Sequence, residues 1–483
     1  MAITIVGQPY QIMPAYNPVV YYIDSNNKLI AGFRYLVQIY DAGTNTLLRE
    51  FKVAPRIGDG YGYIDISKIV QSKLSSYLNI NATTFSQADN GTVYNYDVKF
   101  GEEYIATKNW QSYAVTVNPA FATYTTINST AHGYVVGDQI KLSTNLTYTD
   151  ARQGLNGYFT VLNVINSNSY IINLAYPGTF TGGASGTSQY ADNRIVRFTN
   201  LSSLLNRRVF NRVYSFENFP TYNQSQIILG SSTSQIITNA PNDGFYVRPD
   251  QKLFWNFWDN KLNQCRRVIF QNDAGEQYYV NTSGATSFIK QVNVADGANL
   301  IPIGGATLPM VKSTTKYYDV WSTASATLTT QSSEKQRIYI DRECPINETQ
   351  ILFLDRSGSW SSFSFPLRQT ESGTVTRDAY RKELGGLKNG TYTYATTDTG
   401  MTNWFITDTK DYTLNTNWMT DEMSVYFQEL ITSPQTYVKF DGSSNFLACN
   451  ITDTSYVVER TKNKKLIRKT INIRLANNDN INI

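Results

Sequence analysis

A single histidine, His132, serves a chain of 483 residues. That scarcity excludes Ser-His-Asp triads, Cys–His dyads, HExxH zinc sites and every metal centre built from two or more imidazoles. Cysteine is almost as rare. Cys265, Cys344 and Cys449 are odd in number, far apart in sequence and form no CxxC pair. A disulfide framework or a Cys-rich zinc site is therefore not expected, and the three read as buried free thiols of a protein made in a reducing cytosol. Charge is sparse: 17% of residues, with a net +4, which demands neither a nucleic-acid nor a membrane surface. No apolar run approaches the roughly 20 residues that cross a bilayer as a helix. The start, Met1-Ala2-Ile3-Thr4-Ile5, has no basic segment and no long apolar stretch, so no secretory signal is expected.

Aromatic residues are abundant. The chain has 35 Tyr, 23 Phe and 7 Trp within a hydrophobic fraction of 41%. Aromatic and β-branched side chains suit half-buried pleated surfaces, so the composition is that of a β protein. The length allows two to four domains. The expected fold class is mainly β and multi-domain: β-sandwich (Ig-like) domains, an inserted small β module and a C-terminal α+β unit.

Residues 1–116 read as a first sandwich, continued by 189–240. Phe33 to Tyr40 alternates, turns at Asp41-Ala42-Gly43-Thr44-Asn45 and returns over Leu47 to Val53. A short helix is expected over Asp65 to Leu74, with Asp65 accepting from its free amides. Asp89-Asn90-Gly91 carries a hairpin-turn signal. Residues 117–188 form the inserted module, with strands near Gln139–Leu142, Gly157–Val164 and Tyr170–Leu174. Residues 241–343 read as a second sandwich. Its aromatic strand, Leu253-Phe254-Trp255-Asn256-Phe257-Trp258, is loaded on both faces. Within 344–483, Ile351–Leu354 is a buried strand, and a helix starts at Thr420. Its acidic first turn is Asp421 and Glu422, and Met423, Tyr426, Phe427 and Leu430 form its stripe. A closing hairpin is expected between Tyr456–Arg460 and Leu466–Leu475, followed by a frayed end from Asn477 to Ile483. No internal repeat of fixed period is present.

Candidate chemistry is thin. A glycosidase needs two carboxylates about 5–10 Å apart. The pairs on offer are Glu102-Glu103, Asp341 with Glu343, and Asp421-Glu422. Neighbours in a strand point to opposite faces, and an acidic pair at a helix start answers the helix dipole. Gly58-x-Gly60-x-Gly62 lacks the Lys-Ser/Thr of a phosphate loop. Acidic turns such as Asp89-Asn90-Gly91 match no EF-hand spacing. No catalytic, cofactor-binding or metal-ligating residue is assigned. The strongest charge cluster is basic: Arg460, Lys462, Lys464, Lys465, Arg468 and Lys469. It suits a solvated hairpin tip, an acidic neighbouring subunit or passing DNA.

Three stretches carry a resemblance. The first is Ala131-His132-Gly133 with Gly137-Asp138 and Leu155-Asn156-Gly157, which resembles modules inserted in phage tail and neck proteins. The second is Arg342-Glu343-Cys344 followed by Leu352 to Phe365. The third runs from Asn417-Trp418-Met419-Thr420-Asp421-Glu422 through Pro434 to Val438, then Asn450 to Tyr456. Their order is similar to that in virion proteins of phages infecting Bacteroidetes, including crAss-like podoviruses. The resemblance implies a non-enzymatic subunit of an oligomeric ring in the neck or tail barrel, joining portal to tail around the DNA channel. It further implies a closed homo-oligomeric ring, six- or twelvefold, contacts with portal and neighbouring tail proteins, and genomic DNA as passing cargo. The chain would be made in the host cytoplasm, reside in the virion and enter no membrane. Arg460, Lys462, Lys464, Lys465, Trp418 and Tyr437 are the candidate contact residues. A tail hub, or a fibre-like protein binding host glycans through exposed Tyr and Trp, is the alternative.

Overall fold

The computed structural model describes residues 3–106, 111–116, 124–144, 157–175, 185–190, 194–242, 244–249, 251–284, 286–295, 299–327, 329–455, 457, 467–477 and 479–482. The chain is mainly β, with several sheets and few helices. Its backbone divides into two compact units, each assembled from separated segments.

The first unit comprises residues 1–8, 20–64 and 96–206. Arg34–Asp41 pairs on one side with Leu47–Val53, so Asp41-Ala42-Gly43-Thr44-Asn45 is a hairpin turn, and on the other with Val93–Ala106. The Asp41 carboxylate holds that turn by accepting from the amides of Gly43 and Thr44. The next strand of the sheet is Arg194–Phe210. Between these two adjacent strands the chain builds a closed six-stranded barrel. Its order is Tyr124–Asn128, Ser169–Ala175, Gly157–Asn166, Gln139–Thr144, Ser185–Tyr190 and Gln111–Thr116. Every pairing around it is antiparallel. Closure removes free edges and encloses Ile127, Ile140, Leu142, Val161, Tyr170 and Ile172.

The second unit comprises residues 9–19, 65–95 and 207–483. Its largest sheet has eleven strands, ten of which follow in the order Thr370–Arg381, Met401–Asn415, Thr470–Leu475, Leu447–Ile451, Thr436–Lys439, Thr349–Leu354, Trp360–Phe365, Phe254–Trp258, Ile289–Asn293 and Phe85–Gln87. A six-stranded sheet (Tyr246–Val247, Gln336–Ile340, Tyr317–Thr323, Arg267–Asn272, Gln277–Asn281 and Ile301–Ile303) shares its core. Segments 241–343 and 344–483, read separately in the sequence, thus contribute to one sheet and one core. Phe254–Trp258 explains why. Trp255 and Phe257 enter the common core, while Phe254 joins a cluster with Leu352 and Trp360, and Trp258 one with Phe210 and Phe288. Both faces of this strand are covered, so every residue in it is buried.

The helix Asp421–Ile431 follows the sequence reading closely. Thr420 Oγ1 accepts from the amide of Met423 at 3.3 Å, and Met423, Tyr426, Phe427 and Leu430 are buried against the sheet. The expected helix at 65–74 contracts to Ser67–Gln71, with Asp65 Oδ1 accepting from Ser67 N and Val19 N.

Three expectations are corrected. Asp89-Asn90-Gly91 turns the chain without making a hairpin. Phe85–Gln87 before it pairs with Ile289–Asn293, whereas Val93–Ala106 after it pairs with Arg34–Asp41. The expected closing hairpin of Tyr456–Arg460 with Leu466–Leu475 lies outside the described residues apart from Val457 and 467–475, of which Thr470–Leu475 pairs with Leu447–Ile451 and Met401–Asn415. The C-terminal end is a strand, Asp479–Asn482, bound along Phe405–Asp408. Cys344 is exposed, while Cys265 and Cys449 are buried, and all three are free. Burial pushes the Cys265 thiol up to about 12 and Cys449 to about 11, which leaves both unreactive.

Candidate assembly surface

The candidate chemical residues named from the sequence are held by local contacts where the structure describes them. His132 is buried in the barrel, 3% exposed. Its Nδ1 accepts from the amide of Tyr134 at 3.0 Å, and its Nε2 faces the carbonyl of Asn166 at 3.0 Å. This geometry sets a neutral imidazole with the proton on Nε2. The ring also packs on Tyr134 and Tyr170. It pins the loop before Gln139–Thr144 to the Gly157–Asn166 strand.

The candidate carboxylates are taken up by local contacts. Glu102 is buried, where it accepts from Ser25 Oγ at 2.5 Å and Asn27 Nδ2 at 2.7 Å. Glu103 turns to the opposite face and meets Lys52 at 2.8 Å. Asp341 and Glu343 belong to a clamp around buried Arg248. That guanidinium donates to the Glu343 carbonyl at 2.6 Å and pairs with Glu348 at 2.9 Å and with Asp341 at 3.7 Å. The Glu343 carboxylate accepts from Asn417 at 2.6 Å. Asp421 and Glu422 occupy the first turn of the helix. The Asp89 carboxylate is spent on the amides of Phe288 and Ile289. Among the described residues, no group of three or more His, Cys, Asp or Glu side chains is placed to hold a metal ion.

The sequence-derived contact residues fall in three places. Arg460, Lys462, Lys464 and Lys465 lie outside the described residues. Trp418 is 47% exposed, with the Arg468 guanidinium 4.1 Å from its ring centroid. Lys469 Nζ donates to the carbonyl of Val457 at 2.9 Å. Tyr437 is half-buried and packs its ring on Trp360, 5.6 Å between centroids.

A larger surface was not read from the sequence. Thr370–Arg381 and Met401–Asn415 form a long antiparallel ribbon, registered from Thr370 opposite Thr413 to Arg381 opposite Met401. At about 3.4 Å per residue, the twelve residues of the outer strand reach roughly 40 Å. A short hairpin, Gly386–Lys388 with Thr391–Thr393, lies between them in the chain. Its turn is Asn389-Gly390, with φ values of 52° and 81°. Positive φ at both central residues is the primed turn whose twist matches a hairpin, and Asn-Gly is the pair that adopts it most readily.

Every residue of Thr370–Arg381 is exposed, and among the described residues the strand is hydrogen-bonded along one edge only, to Met401–Asn415. The inner strand is braced on its far edge by Thr470–Leu475 and Asp479–Asn482. Arg474 grips Asp411 there with two hydrogen bonds, 2.7 and 3.0 Å. Large apolar side chains stand in solvent along the arm: Val375, Tyr380, Leu387, Tyr394, Met401 and Trp404. Isolated two-stranded ribbons are marginal in water, and an exposed edge with apolar faces is a template for another chain. The sequence signal was Asn389-Gly390 between Thr-rich runs. The apolar residues of these strands follow no regular alternation: Val375 and Tyr380 stand in the outer strand, and Trp404-Phe405-Ile406 run together in the inner.

Comparison with known proteins adds no identity. No family model and no curated protein matches the chain. Among solved structures, a phage phi92 endosialidase aligns at 11% identity with a TM-score of 0.16, covering 98% of this chain and 68% of its own. An elastase-activated alpha-2-macroglobulin of Escherichia coli aligns at 9% identity with a TM-score of 0.13, over 98% of this chain and 44% of its own. A Salmonella alpha-2-macroglobulin mutant aligns at 8% identity and a TM-score of 0.12, over 98% and 39%. At these TM-scores the likeness carries no conclusion about fold or function.

Proposed function

We propose that the chain is a non-enzymatic structural subunit of a phage virion, one member of an oligomeric ring in the neck or tail barrel. The observation that carries the reading is the exposed arm, Thr370–Arg381 with Met401–Asn415. Among the described residues it offers an unpaired strand edge, with exposed apolar side chains of the kind assembly proteins cover with neighbours. The three sequence stretches similar to virion proteins of crAss-like phages point the same way. His132, Glu102, Glu103, Asp341 and Glu343 are each tied into local structure, which favours a scaffold over a catalyst. No described helix is long and apolar enough to cross a membrane.

In this reading, copies of the chain associate into a closed ring by repeated head-to-tail contacts, with portal and tail proteins above and below and DNA passing through. The basic run Arg460, Lys462, Lys464 and Lys465, together with Trp418, would face those neighbours or the DNA. Immunogold labelling and mass spectrometry of purified phage particles test the proposal. The expected result is a fixed copy number per particle with label at the head–tail junction or along the tail. Absence from mature particles would overturn it.

A further inference from the structure

The charges along the outer strand of the arm are arranged to recognise themselves. Thr370–Arg381 reads Thr-Glu-Ser-Gly-Thr-Val-Thr-Arg-Asp-Ala-Tyr-Arg, with its one register shift between Asp378 and Ala379. Residues 370–378 are therefore an uninterrupted strand. Glu371, Gly373, Val375 and Arg377 share one face; Thr370, Ser372, Thr374, Thr376 and Asp378 share the other. Acid stands at one end of the first face and base at the other, with Thr374 midway between them.

We propose that this strand pairs antiparallel with the same strand of a second copy of the chain, on a two-fold axis through Thr374. In that register Glu371 of each copy lies directly opposite Arg377 of the other, which makes two ion pairs. Gly373 lies opposite Val375 and leaves room for its branched side chain. On the second face Ser372 meets Thr376 and Thr374 meets its own counterpart, both hydroxyl pairs, while the Thr370 hydroxyl meets the Asp378 carboxylate; all suit cross-strand hydrogen bonds. A slip of one residue in either direction breaks the match, since Glu371 then lies opposite Asp378 or Thr376 of the second copy. The contact converts two exposed strand edges into the middle of a continuous sheet. It is isologous, so it closes on itself and is separate from the head-to-tail contacts of a ring. It stands whether or not the chain is a virion protein.

Charge reversal on the full-length chain tests the register. Glu371→Arg sets Arg against Arg at both sites, and Arg377→Glu sets Glu against Glu. Each single variant is expected to weaken self-association on the order of tenfold or more in sedimentation or light scattering. The double variant Glu371→Arg/Arg377→Glu restores it. Mixing the two single variants also restores it, because every facing pair is again opposite in sign. As a second measurement, Thr374→Cys in a Cys344→Ser background is expected to give a disulfide-linked dimer under mild oxidation, since a residue on the axis meets its own copy. Both positions are exposed, so folding is checked simply by an unchanged melting curve. A chain that is monomeric at all concentrations and does not cross-link at Thr374 would overturn the proposal. So would self-association that ignores the charge swaps.

Discussion

Tyr426 donates from the middle of its helix to Asp355 Oδ2 at 3.3 Å, and both side chains are buried. Asp355 sits where Ile351–Leu354 turns into Trp360–Phe365. Its Oδ1 accepts from the amides of Ser357 and Ser359, and its Oδ2 from the amide of Asn239. One carboxylate thus ties a turn, a loop and a helix together. Burial, with the nearby Glu429 carboxylate as a smaller contribution, pushes Asp355 up to about 6.

The sign of the resulting pH dependence follows directly. A carboxyl held higher when folded than when unfolded favours the folded state most below the unfolded value, near 4. That contribution is lost as pH rises through about 6. Asp355→Asn removes the titration. Melting wild type and variant between pH 4 and 7.5 is expected to show the wild type losing ground to the variant as pH rises, by roughly 2–3 kcal/mol across the window. A constant difference would mean that the carboxyl does not titrate there.

A buried ion pair gives the second prediction. Lys290 Nζ lies 3.0 Å from Asp259 Oδ2, both with no exposed side-chain surface, and it also donates to the carbonyls of Cys265 and Thr282. Lys290→Met leaves a buried carboxylate without its cation, at a cost of about 3–5 kcal/mol in urea unfolding. Lys290→Met/Asp259→Asn is expected to recover part of that loss, because no uncompensated charge remains.

His132 yields a local prediction. Removing its ring by His132→Ala takes the acceptor from Tyr134 N and the partner from the Asn166 carbonyl. About 1–3 kcal/mol of barrel stability is expected to go with them. Hydrogen exchange should quicken at Tyr134 and along Gly157–Asn166, with the helix Asp421–Ile431 unchanged. Protection lost evenly over the whole chain would argue against a role confined to the barrel.

The arm hairpin offers the fourth. Gly390 has φ 81°, and a Cβ there would meet nothing within 4 Å. Gly390→Ala therefore tests the backbone alone, with an expected local cost of about 1 kcal/mol. The measurement is faster proteolysis at 386–393, with the global unfolding midpoint unchanged.

Legibility in the sequence tracked how local each physical cause is. Thr420 caps its own helix three residues on, and Met423, Tyr426, Phe427 and Leu430 align because of the helical period. The turn at Asp41–Asn45 joined its own neighbours. Asp89-Asn90-Gly91 has the same local chemistry. Its carboxylate found Phe288 and Ile289, about 200 positions away, and the flanking strands went to different sheets. The Asn389-Gly390 arm lacks such a local signal, because the apolar residues of its outer strand, Val375, Ala379 and Tyr380, follow no regular alternation.

The sequence by itself determined a β-rich chain with a single helix of length, several hairpins and little material for catalysis. These follow from residue types, turn preferences and period, all of which act over a few bonds. Only the tertiary structure decided that Phe254–Trp258 lies beside Trp360–Phe365, and that His132 and Asp355 serve as fasteners. It alone also left Thr370–Arg381 at an open edge among the described residues. Strand pairing within a fold is a choice among distant partners made by shared burial, so which strand lies beside which inside the chain is not written in a strand's own residues.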